Sequence, residues 1–489
     1  MIKKIDDWLN NVTMYRLVQL GLMALLALAA VLNVFVDFGV SSIGIVLSFF
    51  ILSFTCYGFN LLLGSIFRAP TNAESPVITA VILACILVPP TTLNRALGIA
   101  LAGIIAMTSK YIFALHKAHI FNPAALAAFT VSTLGIIPVT WWIVSPTMLP
   151  ATLILGLLIL RKTRRVEMFL VFALIASLAM LLVNPGDQTT AAILKNLLLS
   201  WPLVFLGTIM LTEPSTSPTG RYYRNLYAGL VGVLFVSQIS VGPLDTSPEF
   251  ALLIGNLFAF IVTPKRKIVL ALKNKQKLSP NVTGFEFTST NKLPYLPGQY
   301  LETTLPQSKT DGRGNRRTFT IASSPTEDTL QLGIKFYEPG STFKKALSKL
   351  TVGQKIVVGN VGGEFILPKD KSVPLVFIAG GIGITPFRSM VKYLIDTNQK
   401  RSIELLYFVN SKADAVYKDV FEEAKRVGVT THIETKAIDE NSLKKYMATS
   451  TRQLFYISGP PAMVRSYKKS LKKIGVRNRA IKTDCFTGY

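Results

Sequence analysis

From about Leu17 to Val262 the chain is a succession of apolar runs, most of them long enough to cross a bilayer. Runs of suitable length lie at residues 17–37, 41–66, 76–89, 96–109, 124–140, 149–160, 166–183, 196–212, 227–240 and 250–263, so the best count is ten. A span needs about 20 apolar residues. The shorter runs, 149–160 among them, are therefore expected to be broken or extended by their flanks. Charge tests the count independently. With ten spans and the N-terminus inside, fifteen basic residues fall on the inner side, and only Arg95 and Lys195 fall outside. That is a strong positive-inside bias. Trp141 and Trp142 are placed near the outer interface as an aromatic belt, and residues 1–263 are read as a polytopic helical membrane domain. Half of the 489 residues are hydrophobic, 16% are charged and the mean hydropathy is +0.42, all on the membrane side of the globular average.

Composition excludes several classes. Basic residues outnumber acidic ones 52 to 27, yet no finger, basic zipper or RNP-like motif is present, so no nucleic-acid partner is expected. Anionic membrane lipid and topology account for the excess. Three cysteines, Cys56, Cys85 and Cys485, cannot supply the four thiolates of an iron–sulfur cluster. Three histidines, His116, His119 and His432, cannot ligate two haems between facing spans. His116 and His119 are either hydrated interfacial residues or part of a proton relay. Cys56 and Cys85 read as small packing residues, or as ligands of a metal shared with a partner chain. Lys3 and Lys4 precede an apolar stretch, 17–36, that is too long for a signal-peptide core, which predicts an uncleaved anchor.

A faint repeat divides the membrane half. Leu87-Val88-Pro89-Pro90-Thr91-Thr92 ends the third run, and Leu211-Thr212-Glu213-Pro214-Ser215-Thr216-Ser217-Pro218 ends the eighth. Five spans apart, these are either the marks of an inverted repeat or two ordinary Pro-rich loops. His119-Ile120-Phe121-Asn122-Pro123-Ala124-Ala125-Leu126 and Thr212-Glu213-Pro214-Ser215-Thr216-Ser217-Pro218 resemble the FNPAA and TDPV-SP stretches of the ten-span NqrB/RnfD membrane subunits of sodium-translocating NADH:quinone reductase and Rnf complexes. The resemblance covers roughly residues 60–262. It implies FMN or riboflavin in the membrane domain and a part in transmembrane electron transfer. That family attaches FMN to the threonine of an S-G-A-T motif, which this chain lacks. Its nearest stretch is Asp187-Gln188-Thr189-Thr190, where the threonines are either a flavin attachment site or a helix cap.

After Thr263-Pro264-Lys265-Arg266-Lys267 the pattern changes. Ile268 to Leu272 reads as a first strand, and short strands then alternate with turns such as Pro297-Gly298 as far as Leu367, which predicts a small antiparallel barrel. Gly340-Ser341-Thr342-Phe343 reads as a turn capping a helix. Val376 to Ala379 is an apolar parallel-type strand that runs into Gly380-Gly381-Ile382-Gly383-Ile384-Thr385-Pro386 and then a helix. Together with Arg317-Thr318-Phe319-Thr320-Ile321-Ala322-Ser323, Tyr456-Ile457-Ser458-Gly459-Pro460 and the closing Asp484-Cys485-Phe486-Thr487-Gly488-Tyr489, these signatures resemble the ferredoxin-NADP reductase superfamily over roughly residues 266–489.

The resemblance implies roles for particular residues. Arg317 would neutralise the FAD pyrophosphate, a task that suits a planar guanidinium. Phe319 would cover the flavin, Thr320 would hydrogen-bond near N5, and Thr318 and Ser323 would complete the flavin strand. Gly340, Ser341 and Thr342 would give a second pyrophosphate contact. Gly380, Gly381, Gly383, Thr385, Pro386, Gly459 and Pro460 would receive NADH or NADPH, with Phe486 and Tyr489 closing the site. Ser458, where the family often has cysteine, and Asp484, where it has glutamate, would sit with Thr320 at the reacting centre. Ser411 and Lys412 leave the choice between NADH and NADPH open.

The resulting expectation is a multi-domain chain: about ten membrane helices with a candidate inverted repeat, then an antiparallel β-barrel FAD domain at 266–369 and an α/β nucleotide-binding domain at 372–489. Its expected function is that of a plasma-membrane NAD(P)H-dependent flavoprotein oxidoreductase with the reductase in the cytoplasm. Electrons would pass through FAD to a membrane flavin, a quinone or a partner electron-transfer protein. The alternative is a transporter with a redox-sensing reductase domain.

Overall fold

The computed structural model describes residues 5–6, 8–9, 12–67, 71–115, 118–183, 188–237, 240–241, 244–263, 265–289, 293–305, 307, 311, 315–338, 340–447 and 452–486. They form two compact units that divide between Arg266 and Lys267.

The first unit is helical. Its helices are Met14–Leu32 (α1), Ser42–Ile66 (α2), Glu74–Ile86 (α3), Leu93–Ile112 (α4), Pro123–Thr133 (α5), Leu149–Thr163 (α6), Val166–Val183 (α7), Thr190–Leu199 (α8), Leu203–Phe205 (α9), which continues as a π-turn over Leu206–Met210, Arg221–Val236 (α10) and Pro248–Val262 (α11). Two small hairpins lie between them, Ala114–Leu115 with Ala118–His119 (β1, β2) and Ser240–Val241 with Leu244–Asp245 (β3, β4). Hydroxyl and amide caps start the helices as their sequences suggest. Thr13, Ser41, Thr92, Asn122, Thr189 and Ser247 each accept a backbone N–H three residues on. Pro123 and Pro248 stand at N1, where a missing N–H costs nothing.

Each of the ten apolar runs contains helix, but ten full spans are not shown. By length and composition α1, α2, α4 and α7 are able to cross a membrane, and α8 with Leu203–Met210, bent by 62°, counts as a fifth. α3, α5 and α11 are shorter apolar helices. Their ends have physical causes. α3 stops where Leu87 turns extended, pairs with Val139 and meets Pro89-Pro90. α5 stops before Gly135, whose φ of 67° leaves the helix. From Ala80 to Ile86 every residue of α3 is buried, which identifies a helix enclosed by protein on all sides. α7 and α10 approach closely at Gly232, where a Cβ would lie 3.0 Å from Phe172 O. Trp141 and Trp142 are not an interfacial belt. Both are 6% exposed, with Nε1 donating to Glu249 Oε1 at 2.5 Å and to Ala84 O at 2.9 Å.

The second unit holds two sheets. The strands Ile268–Ser279 (β5), Val282–Thr288 (β6), Tyr300–Thr304 (β7), Arg316–Thr320 (β8), Leu330–Lys335 (β9) and Lys355–Gly362 (β10) form an antiparallel sheet of order β8-β7-β10-β5-β6-β9. Beyond β8, Ala322 N donates to Gln331 O at 2.8 Å, which ties the two sheet edges together. The core holds Phe285, Phe287, Leu301, Leu332 and Ile356, and helix Thr342–Ser348 (α12) adds Phe343 and Leu347. Burying such side chains contributes roughly 1.5–3 kcal/mol each before entropy is counted.

The other sheet is parallel, of order β13-β12-β11-β14-β15, with Leu375–Gly380 (β11) at its centre. Around it lie Thr385–Asp396 (α13), Ile403–Phe408 (β12), Lys418–Glu423 (α14), Val429–Glu434 (β13), Glu440–Lys444 (α15), Leu454–Gly459 (β14), Pro461–Lys473 (α16) and Ile481–Cys485 (β15). β11 is buried along its whole length, as a central parallel strand covered on both faces must be. The strand order reverses between β11 and β14, and doubly wound sheets bind ligands at such a reversal.

Candidate functional site

Of the flavin-strand residues, Thr318, Phe319 and Thr320 lie with Arg317 on β8, where Arg317 and Thr320 are buried, on opposite faces of the strand, and Thr318 is exposed. Arg317 is 5% exposed and lies over the Phe343 ring, its carbon 5.2 Å from the ring centre. One guanidinium nitrogen donates to Arg316 O at 2.7 Å, the other to Asp311 Oδ1 at 3.3 Å. The second oxygen of Asp311 accepts from Thr342 N at 3.1 Å, and Asp311 N donates to Thr342 Oγ1 at 3.0 Å. A guanidinium and a helix-start amide thus converge on a single anionic group. That donor set fits one phosphate of a dinucleotide, and here Asp311 fills it. Ser341 caps α12 by accepting from Lys344 N, and Gly340 precedes it. Phe319 packs beside Phe343, with ring centres 5.9 Å apart.

Ser323 is wholly buried and its groups serve the fold. Its Oγ accepts from Gln331 N at 3.0 Å and shares a bond with Tyr295 Oη at 2.9 Å, while its carbonyl accepts from Ser389 Oγ at 2.5 Å. Burial pushes the Tyr295 phenol up to about 12.

The glycine turn after β11 borders a cavity of about 270 Å³ at the C-terminal ends of the parallel strands. Gly380, Gly381 and Pro460 line it, as do Met463, Asp414 and Lys436. Gly383, Thr385 and Pro386 hold the turn instead. A Cβ on Gly383 would lie 2.4 Å from Ser458 O, so only glycine lets the turn rest on β14, and Thr385 Oγ1 donates back to Ile382 O at 3.1 Å. Ser458 is wholly buried, and its Oγ has no hydrogen-bond partner among the described residues. Parallel pairing puts Ser458 on the same rung as Asp484, and Phe486 N continues the ladder to Gly459 O at 3.0 Å. β14 and β15 thus bring together Ser458, Gly459, Asp484 and Phe486, while Thr320, expected with them, lies on β8. Ser458 packs under Gly383 through its carbonyl and does not line the cavity. Tyr489 lies outside the described residues. Ser411 is engaged within the protein, donating to Asp414 Oδ2 at 3.0 Å, while Lys412 is exposed.

Sequence reasoning missed Asp311, Glu327, Arg388 and Tyr417. Arg388 on α13 is 5% exposed; it donates to Ala322 O at 3.2 Å and grips both oxygens of Glu327, and its guanidinium lies over Tyr417, 5.6 Å from the ring centre. The signal available was a charge inside the apolar stripe of Phe387, Val391, Leu394 and Ile395.

In the first unit the two motif stretches also meet, Asn122 Nδ2 donating to Glu213 Oε2 at 2.9 Å. Thr189 caps α8, the plainer of its two readings. Cys56 and Cys85 are buried packing residues, and no cluster of three metal-ligating side chains exists among the described residues. His116 lies outside them.

Residues 269–365 match the Oxidoreductase FAD-binding domain family, and residues 377–469 match the Oxidoreductase NAD-binding domain family. Flavohemoprotein A of Dictyostelium discoideum is 25% identical over 234 residues, 43% of this chain and 58% of that protein. The reductase component DmpP of phenol 2-monooxygenase from Pseudomonas sp. (strain CF600) is 28% identical over 181 residues, 37% of this chain and 47% of that protein. Among solved structures, the flavohem-like FAD/NAD binding domain of the nitric oxide dioxygenase from Vibrio cholerae O1 biovar El Tor is similar, with a TM-score of 0.40 and 20% identity over 45% of this chain and 98% of that one. The chain spans about half the length of the curated relatives it matches. Its second unit thus carries the FAD-binding and NAD-binding domains of an NAD(P)H-dependent flavoprotein oxidoreductase.

Proposed function

We propose that the chain takes electrons from NADH or NADPH into FAD in its second unit and passes them to a carrier in a membrane domain formed by residues 1–263. Bound FAD supplies the conversion of a two-electron hydride donor into one-electron steps. Arg317 and the Thr342 amide hold its pyrophosphate, displacing Asp311, with Gly340 and Ser341 shaping the start of α12. Phe319, Thr318 and Thr320 border the ring. The Gly380 to Gly383 turn, with Gly459 and Pro460, lets the nicotinamide come against the sheet, and Ser458 and Asp484 orient it. The carrier is a quinone or a membrane-held FMN or riboflavin. The membrane domain is of the NqrB/RnfD kind with about ten spans, in the plasma membrane with the reductase on the cytoplasmic side.

The glycine turn carries the reading, because Gly380, Gly381 and Pro460 border an open cavity at the C-terminal ends of the parallel strands while Gly383 packs directly on β14. Purified chain loaded with FAD tests it. The flavin absorbance should bleach on anaerobic addition of NADH or NADPH and return when a quinone is added. A loaded chain that does not bleach contradicts it.

A further inference from the structure

Glu213 is held by two donors on one carboxylate oxygen and faces a histidine with the other. Asn122 caps α5 through Oδ1 on Ala125 N at 3.0 Å, and its Nδ2 donates to Glu213 Oε2 at 2.9 Å. Thr216 Oγ1 donates to the same oxygen at 3.3 Å. Asn122 N donates to Oδ1 of Asn256, which is wholly buried on α11, and Asn256 Nδ2 donates to Thr216 O and Tyr227 Oη, each at 3.2 Å. One carboxylate oxygen is thereby held by neutral donors. The other, Oε1, faces His119 Nε2 at 4.0 Å, a gap a proton crosses only after a small movement or through water.

A recess of about 50 Å³ opens beside this pair, lined by Glu213, His119, Lys110, Ser75, Thr79 and Thr163 among others. A water takes about 30 Å³ of liquid volume. The recess therefore has room for water. A metal cation is disfavoured, because the Lys110 ammonium already stands there, donating to Ser75 Oγ at 2.9 Å. The arrangement is that of an acid–base pair with space for water beside it. The titratable and charged groups facing Glu213 are Lys110 of α4, His119 of β2, Tyr15 of α1, Tyr227 of α10 and Arg165, which precedes α7 and donates to Ser217.

We propose that Glu213, with His119 and water in this recess, is a proton-transfer site serving reduction of the membrane carrier. The inference rests on the electron route proposed above. Reduction of a quinone to its quinol by NAD(P)H consumes one proton beyond the hydride: NAD(P)H, one proton and quinone give NAD(P)⁺ and quinol. The carboxylate of Glu213 takes that proton from the His119 imidazolium or from water and releases it to the next acceptor, so that only O–H and N–H bonds form and break. Asn122 Nδ2 and Thr216 Oγ1 can donate to a carboxylate oxygen or to an acid carbonyl, which keeps Glu213 oriented in both states.

The full chain in proteoliposomes, unmodified and as Glu213→Gln and Glu213→Asp, tests this by two readouts. Infrared difference spectra between about pH 5 and pH 9 should contain a carboxylic-acid C=O band that Glu213→Gln abolishes. Quinol formation by NAD(P)H, normalised to bound flavin, should fall about 100-fold in Glu213→Gln, recover partly in Glu213→Asp, and lose its pH dependence in the glutamine variant. Absence of a Glu213-dependent band, or quinol formation by Glu213→Gln at the unmodified rate, overturns the proposal. If the unmodified chain reduces ferricyanide with NAD(P)H but reduces no quinone, the electron route fails instead, and the infrared band still decides the proton site.

Discussion

Arg388 on α13 and Glu327, which follows the flavin strand, form a bidentate ion pair, with Nη2 donating to Oε1 at 2.9 Å and Nη1 donating to Oε2. Glu327 Oε2 also accepts from Ser324 N at 2.6 Å, and next to Arg388, Ser389 bonds Ser323 O. The helix that leaves the glycine turn is therefore fastened to the end of the flavin strand. Removing one partner leaves the other charge largely buried, at a cost of about 3 kcal/mol. Arg388→Ala should release bound FAD at a lower temperature, read by flavin fluorescence on heating. Arg388→Met combined with Glu327→Leu should recover much of the loss, since an apolar pair strands no charge.

Arg317 and Asp311 act on phosphate binding in opposite senses, Arg317 as its donor and Asp311 as its competitor. A hydrogen bond to a charged group contributes about 1.5–3 kcal/mol, so Arg317→Ala should weaken FAD binding roughly 10- to 100-fold in equilibrium titrations. Asp311→Asn removes the carboxylate that holds Arg317 and Thr342, and should bind FAD at least as tightly as the unmodified chain.

Gly383→Ala should open the nicotinamide turn, because the added Cβ would meet Ser458 O at 2.4 Å. The expected result is a raised KM for NAD(P)H in steady-state assays, with FAD content retained because the flavin strand is untouched.

Ser458→Ala separates stability from chemistry. The hydroxyl is buried without a partner among the described residues, so its removal should leave thermal stability unchanged or raise it by about 1 kcal/mol. Stopped-flow flavin reduction should nevertheless slow, and Ser458→Cys should restore a polarisable group at that rung.

Alkaline pH should loosen the second unit. Burial pushes Tyr295 and Tyr407 up to about 12, against 10 for a free phenol. Below about pH 10 both phenols are neutral in either state; above it the unfolded chain loses its protons first. Stability should therefore decline as pH rises from about 10 towards 12, and Tyr295→Phe should narrow the decline. Ultraviolet absorbance of tyrosinate measures the ionisation directly.

The glycine turn and the flavin strand were legible because their chemistry is local: glycines where backbones must touch, an arginine on a strand, an apolar run for a central parallel strand. Asp311, Glu327 and Tyr417 were not, since each acts on a partner far along the chain, and periodicity says nothing of such pairs. β15 was missed as a strand because its middle, Lys482-Thr483-Asp484, is polar and takes its order from pairing with β14. In the first unit, hydropathy located every helical run but not the ends of the helices. Pro89-Pro90 and Gly135 cut two runs short, and the bend after Leu199 breaks a third. The bond between Asn122 and Glu213 joins residues 119–126 and 212–218 across the fold, a contact no local pattern gives.

Anaerobic titration of the FAD-loaded full chain with NADH and with NADPH, followed by addition of a quinone, tests the central claim most directly. The account expects one of the two nucleotides to bleach the flavin band stoichiometrically and the quinone to restore it. A chain that holds FAD but is reduced by neither nucleotide would contradict it.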